Sequence, residues 1–156
     1  MKSEVRRLSL IPFVHRATHR IGLWLDAAQP ALRVTQGEAH LLAHLTEAGT
    51  SSVKALHSAF AHKRSTLTSY LDRLEGRGYV LRTLHPKDRR SFLVSLTPAG
   101  AAAAARIHRR LAALEAAAWG QLATRDIHAV RGALQALQDA TELHKRPARH
   151  RREDSR

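Results

Sequence analysis

Between Val53 and Gly100 the chain leaves little freedom about what it can fold into. The segment V-K-A-L-H-S-A-F-A-H-K-R-S-T-L-T-S-Y-L-D-R-L-E-G-R-G-Y-V-L-R carries two short helical patterns. It runs directly into T-L-H-P-K-D-R-R-S-F-L-V-S-L-T-P-A-G, in which two strand-like stretches flank a basic turn. Helix, tight junction, helix and hairpin in that order make a helix-turn-helix followed by a wing, an arrangement suited to gripping duplex DNA. The Ala/Leu-rich helical stretches on either side suit the pairing of two copies of the chain.

The rest of the chain divides around this segment. Leu10, Val14, Ala17, Ile21, Trp24 and Ala28 step by threes and fours, predicting a helix over 11–28 that Pro30 stops. Thr35-Gln-Gly-Glu38 is a capping-box pattern that opens a second helix through Glu47. A third helix is expected over 52–60 and a fourth over 63–77, ended by Gly78. Strands are expected over 79–84 and 91–96, joined by a turn over 85–90. Thr97-Pro98 then starts a fifth helix reaching about Gly120, and Thr124 caps a sixth reaching about His144. In the fifth, Ala104, Ile107, Leu111, Leu114 and Ala118 form an apolar seam; in the sixth, Ile127, Val130, Leu134, Leu137 and Thr141 form another. The predicted class is therefore mainly α with a small β-hairpin wing: a winged helix-turn-helix domain between long N- and C-terminal helices. The predicted organisation is a dimerisation helix over 1–33, a DNA-binding domain over 34–97, dimerisation helices over 98–144 and a basic, disordered tail over 145–156.

Charge follows this division. Residues 54–90 hold nine Lys/Arg against three Asp/Glu, a net of +6, whereas 98–143 hold five against four, a net of +1. The tail over 144–156 adds a net of +4. Positive charge lies where a polyanion would be met, which favours double-stranded DNA as partner. With no cysteine, disulfides, thiolate metal sites and thiol redox sensing are excluded. No apolar run approaches the roughly 18 residues of a membrane span, and the N-terminus lacks a long apolar core, so a cytoplasmic protein without membrane contact is expected. No nucleophile–base set or phosphate loop is present to suggest an enzyme.

The fourth helix separates into two faces. Leu67, Leu71 and Leu74 recur at four and three and should pack inward. His62, Ser65, Thr66, Ser69 and Arg73 should face outward, with Lys63, Arg64 and Thr68 completing a set of short hydroxyls and long cations that a major groove can accept. At the wing, Lys87, Asp88, Arg89 and Arg90 form the second candidate contact, an Arg entering the adjacent minor groove and Asp88 orienting an Arg by a charge-assisted hydrogen bond. A non-specific architectural DNA-binding protein is the competing reading of so basic a chain.

These residues carry a family resemblance. Thr35 with Glu38, Leu41, Leu42 and Leu45, then Val53 and Leu56, Arg64-Ser-Thr-Leu-Thr68, Leu71-Asp-Arg-Leu-Glu75, Arg77-Gly78, Arg82, Pro86-x-Asp88-Arg89-Arg90 and Leu96-Thr97-Pro-Ala-Gly100 resemble the MarR family of winged-helix transcriptional regulators. The resemblance implies a homodimer held by the first, fifth and sixth helices. It implies a palindromic operator and repression by covering promoter DNA. It also implies release by a small, often aromatic effector bound between the dimerisation and DNA-binding parts.

Phe13, Trp24 and His40 are the candidates to line such an effector pocket, although their spacing also suits plain dimer core, which is the favoured reading. His15 with His19 and His40 with His44 are helical i, i+4 pairs, and His108 lies on the fifth helix. A zinc-sensing branch of the family looks similar at His40. However, Ala39 stands where that branch has an acidic ligand and cysteine is lacking, so packed or hydrogen-bonded histidines are expected, and no metal or other cofactor.

Overall fold

The structure, a computed structural model, describes residues 8–28 and 30–145, without the side chains of 28, 30, 89 and 143–145. All but the first residue of the expected basic tail lies outside the described residues. Two compact units are present, one reaching Leu111 and one beginning at Ala112.

In the first unit the elements run α1 (Ile11–Ala28), a 3-10 turn (Pro30–Leu32), α2 (Gln36–Ala48), β1 (Ser51–Ser52) and α3 (Val53–Phe60). They continue with α4 (Arg64–Gly76), β2 (Val80–His85), β3 (Asp88–Leu96) and α5 (Pro98–Trp119), which crosses into the second unit. Local chemistry sets most of the boundaries. Thr35 caps α2 and Glu38 returns a bond to the Thr35 N–H at 2.9 Å, closing the capping box. Ser52 caps α3 by accepting from Ala55 N–H. Gly78, at φ +71°, ends α4 by turning left-handed, so that its N–H and that of Tyr79 close on Glu75 and Leu74 carbonyls.

The sheet differs from the expected two-stranded hairpin. β1, two serines, pairs antiparallel with β3 (Ser51 opposite Val94), giving a three-stranded sheet in the order β1-β3-β2. A two-residue strand without β-branched or aromatic side chains leaves no alternation to detect; the pairing exists only because the α2–α3 connection passes beside β3. The turn is also tighter than expected, with β3 resuming at Asp88 straight after Pro86-Lys87.

The core joins Leu41, Leu42 and Leu45 of α2, Leu56 of α3, Leu67, Leu71 and Leu74 of α4, Val80 and Val94 of the sheet, and Ala103, Ala104 and Ile107 of α5. Burial of each large aliphatic side chain here contributes about 1.5–3 kcal/mol. The α5 seam is therefore corrected: Ala104 and Ile107, expected to face a partner helix, are fully buried within their own unit. A 3-4 apolar spacing demands a packing partner without saying whether it comes from the same chain.

The second unit contains the end of α5 and α6 (Thr124–Lys145). The Ala123 carbonyl accepts the first amides of α6, from Asp126 and Ile127, so the expected cap falls one residue earlier than Thr124. Among its described residues none is buried; Ile127 and Leu137 are half-buried, and Val130 and Leu134 are exposed.

Candidate nucleic-acid interface

The reading helix is aimed by its junction with α3. Ala61 adopts a left-handed conformation (φ +49°, ψ +20°), unusual for a residue with a Cβ, and its N–H bonds the His57 carbonyl. This turns the chain within three residues into α4. Leu67, Leu71 and Leu74 are 0–1% exposed, so the inward face of α4 is the one its spacing predicts. Arg64, Ser65, Thr68 and Ser69 are exposed together near its N-terminal end, with Lys63 exposed just before it. The Ser69 hydroxyl donates to the Ser65 carbonyl at 2.9 Å, which leaves its oxygen lone pairs outward as acceptors.

Two residues expected outward are less exposed than expected, and a third is tied back. Thr66 is half-buried. His62 is half-buried too, stacked on Phe60 at 6.0 Å and meeting the Tyr70 ring edge-on at 5.5 Å. Arg73 is exposed as expected but engaged by the protein itself: its Nε donates to Glu38 and its guanidinium lies 5.3 Å from the centre of the Tyr70 ring. A helical wheel places Arg73 outward correctly, but its side chain is long enough to fold back along α4 to α2.

The wing is built from the β2–β3 ribbon. Asp88 accepts from the Arg90 N–H at 3.0 Å and His85 Nδ1 accepts from the Lys87 N–H at 3.2 Å, holding the tip as a compact turn. Asp88 thus orders the backbone under Arg90. Lys87, Asp88 and Arg90 are exposed; the Arg89 side chain lies outside the described residues.

Arg82, matched above as a family residue but given no role, ties the wing to the reading helix. It donates from Nε to Glu75 at 2.9 Å and from Nη1 to Asp72 at 2.8 Å, and its N–H bonds Glu75 Oε1. The side-chain hydrogen bonds from Arg82, then the backbone one, hold the Glu75 carboxyl below its usual pKa, and the Glu75 bonds raise that of Arg82. The signal in the sequence was a lone cation in β2 beyond two carboxylates of α4.

Phe13 is 68% exposed on α1, whereas Trp24 is half-buried against the core. His40 is half-buried on α2, and desolvation holds it below the ordinary histidine range. His44 meets Phe60 edge-on, His108 Nε2 lies 2.7 Å from Glu47 Oε1, and His15 and His19 are exposed. Among the described residues no group of three or more His, Cys, Asp or Glu is placed to hold a metal ion, and no helix is long and apolar enough to cross a membrane.

Comparison with known proteins bears on this geometry. Residues 34–92, which contain α2 to α4 and most of the wing, match the model of the MarR family. Over 79 residues the chain is 34% identical to the multiple antibiotic resistance protein MarR of Salmonella typhimurium, covering 51% of this chain and 55% of that protein. The chain thus spans about half the length of the curated relatives it matches. Among solved structures, a MarR protein from Peptoclostridium difficile superposes with a TM-score of 0.78 at 14% identity, covering 92% of this chain and 94% of that one. The MepR–DNA complex of Staphylococcus aureus superposes with a TM-score of 0.74 at 16% identity, covering 86% and 99%. At these identities the structures establish the winged-helix fold.

Proposed function

We propose that this chain, a MarR family protein through residues 34–92, is a transcriptional regulator that binds a palindromic operator in double-stranded DNA as a homodimer, chiefly as a cytoplasmic repressor. The observation that carries the reading is the exposed group Lys63, Arg64, Ser65, Thr68 and Ser69 at the start of a helix whose other face is sealed into the core, beside a wing ending in Lys87 and Arg90. Short hydroxyls let the helix approach base edges while the flanking cations meet phosphates, and the wing offers cations to the neighbouring groove. That the S. aureus neighbour was solved with DNA agrees with this use of the fold.

Dimerisation is supported by apolar side chains left exposed on both flanking elements: Ile11, Phe13 and Leu23 on α1, and Val130 and Leu134 on α6. Two-fold symmetry of the protein calls for half-sites about one helical turn apart, ~34–36 Å. Release by a small aromatic effector belongs to the same proposal, with Trp24 and His40 as the residues to vary first.

Binding to duplexes from the DNA beside the chain's own gene tests the reading. A regulator should prefer one footprinted site over random DNA by ~10³-fold or more at physiological salt. Equal affinities would leave only non-specific attraction by a chain of net charge +13.

A further inference from the structure

Glu38 is the only charged side chain fully buried among the described residues, at 0% exposure. Capping explains only part of what it does. Besides the Thr35 N–H, its two oxygens accept from Arg73 Nε in α4 and from Arg77 Nη1 at the α4 C-terminal cap, the latter at 3.0 Å, thirty-five and thirty-nine residues further along. Arg73 and Arg77 remain 43% and 32% exposed, so each guanidinium also borders solvent.

We propose that Glu38 is a positioning residue for DNA reading, one that sets the rotation of α4 against α2 and withholds Arg73 and Arg77 from the phosphates. The proposal rests on α4 being the reading helix. The inward contacts of α4 are leucines, whose attraction is non-directional and tolerates small rotations. A carboxylate gripping Arg73 in the last turn of α4 and Arg77 at its C-terminal cap is directional, because its two oxygens and two guanidiniums define an angle about the helix axis. The same bonds engage two cations that would otherwise offer sequence-independent attraction to any duplex. Discrimination is thereby left to the exposed start of α4.

Glu38→Gln is the informative variant, since glutamine keeps the length and the acceptor that serves the Thr35 N–H while removing the charge. Wild type and variant are titrated with the footprinted duplex and with random DNA over a salt series, with thermal melting alongside. The operator-to-random affinity ratio should fall about tenfold, the scale of a lost charge-assisted bond. The salt slope on random DNA should steepen by about one unit for each guanidinium that reaches a phosphate. Arg73→Gln, which leaves Glu38 paired with Arg77, should lower the ratio without steepening the slope. In the double variant, about one unit of the steepening should disappear. An unchanged ratio and slope in Glu38→Gln would overturn the proposal. So would equal losses on both duplexes together with a lowered melting temperature, which mark a purely structural role. A wild-type chain that fails to discriminate would overturn the regulatory reading and this inference with it.

Discussion

Gly100→Ala sets helix propensity directly against packing. Gly100 lies in the first turn of α5 and is buried, and on propensity alone alanine should be better by about 1 kcal/mol. A Cβ there, however, would stand 1.7 Å from the Tyr79 carbonyl oxygen, 2.6 Å from its carbon and 3.0 Å from its Cα. These are backbone atoms and cannot rotate away. Reaching ordinary contact requires α5 and the start of β2 to separate by about 1.5–2 Å. That separation would break the 3.1 Å bond from Thr97 N–H to the same carbonyl. Overpacking of this kind costs about 1–3 kcal/mol, and a lost hydrogen bond about 1 more. After the propensity gain the net is about 1–3 kcal/mol of destabilisation, or roughly 2–12 °C in melting temperature for a chain of this size. Gly132→Ala in α6 is the control, because nothing stands within 4 Å of its added Cβ and it should gain about 0.5–1 kcal/mol. Urea and thermal unfolding of both variants decide the matter. If Gly100→Ala is as stable as wild type or more so, the claimed contact between the start of α5 and the exit of α4 is wrong.

Other perturbations give separate tests. Arg90→Ala removes an exposed wing cation and should weaken operator binding and lower the salt slope by about one unit, read from a salt titration; an unchanged slope removes the wing tip from the interface. His40, kept below its ordinary pKa by burial, binds its proton less readily in the folded than in the unfolded chain. Stability should therefore fall as pH drops below about 6.5, level off below the folded pKa, and do so less steeply in His40→Gln, compared by urea unfolding at a series of pH values. Glu75 behaves as a depressed carboxyl. Its contribution should be complete above its ordinary pKa and lost as pH falls through the lower folded value, so Glu75→Gln should flatten the acid limb of the same profile. An acid limb identical to wild type would show that the Arg82 bonds do not hold in solution.

Much of the fold was legible because its signals are local. The capping box at Thr35 and Glu38, Gly78 and the Thr97-Pro98 start each satisfy backbone groups a few residues away, so a linear reading can find them. The leucine face of α4 was equally legible, since a period of 3.6 residues needs no knowledge of the partner. Beyond that range the reading lost its hold. β1 consists of two serines recognisable only by their neighbour β3, and the Ala104–Ile107 seam found its partner inside the chain. The exposed start of α4 and the wing cations were placed as candidate contacts by pattern alone, whereas Asp88 turned out to bond the Arg90 backbone.

By itself the sequence determined which faces are apolar, where helices start and stop, and that cations cluster in the winged segment. Only the tertiary structure decided which cations stay available. Arg64, Lys87 and Arg90 remain exposed, while Arg73 and Arg77 turn back to Glu38 and Arg82 bridges Asp72 and Glu75. The reason is physical. A long charged side chain takes the partner that folding brings within hydrogen-bonding reach, and in this chain the partner of Arg73 lies thirty-five residues away along the sequence.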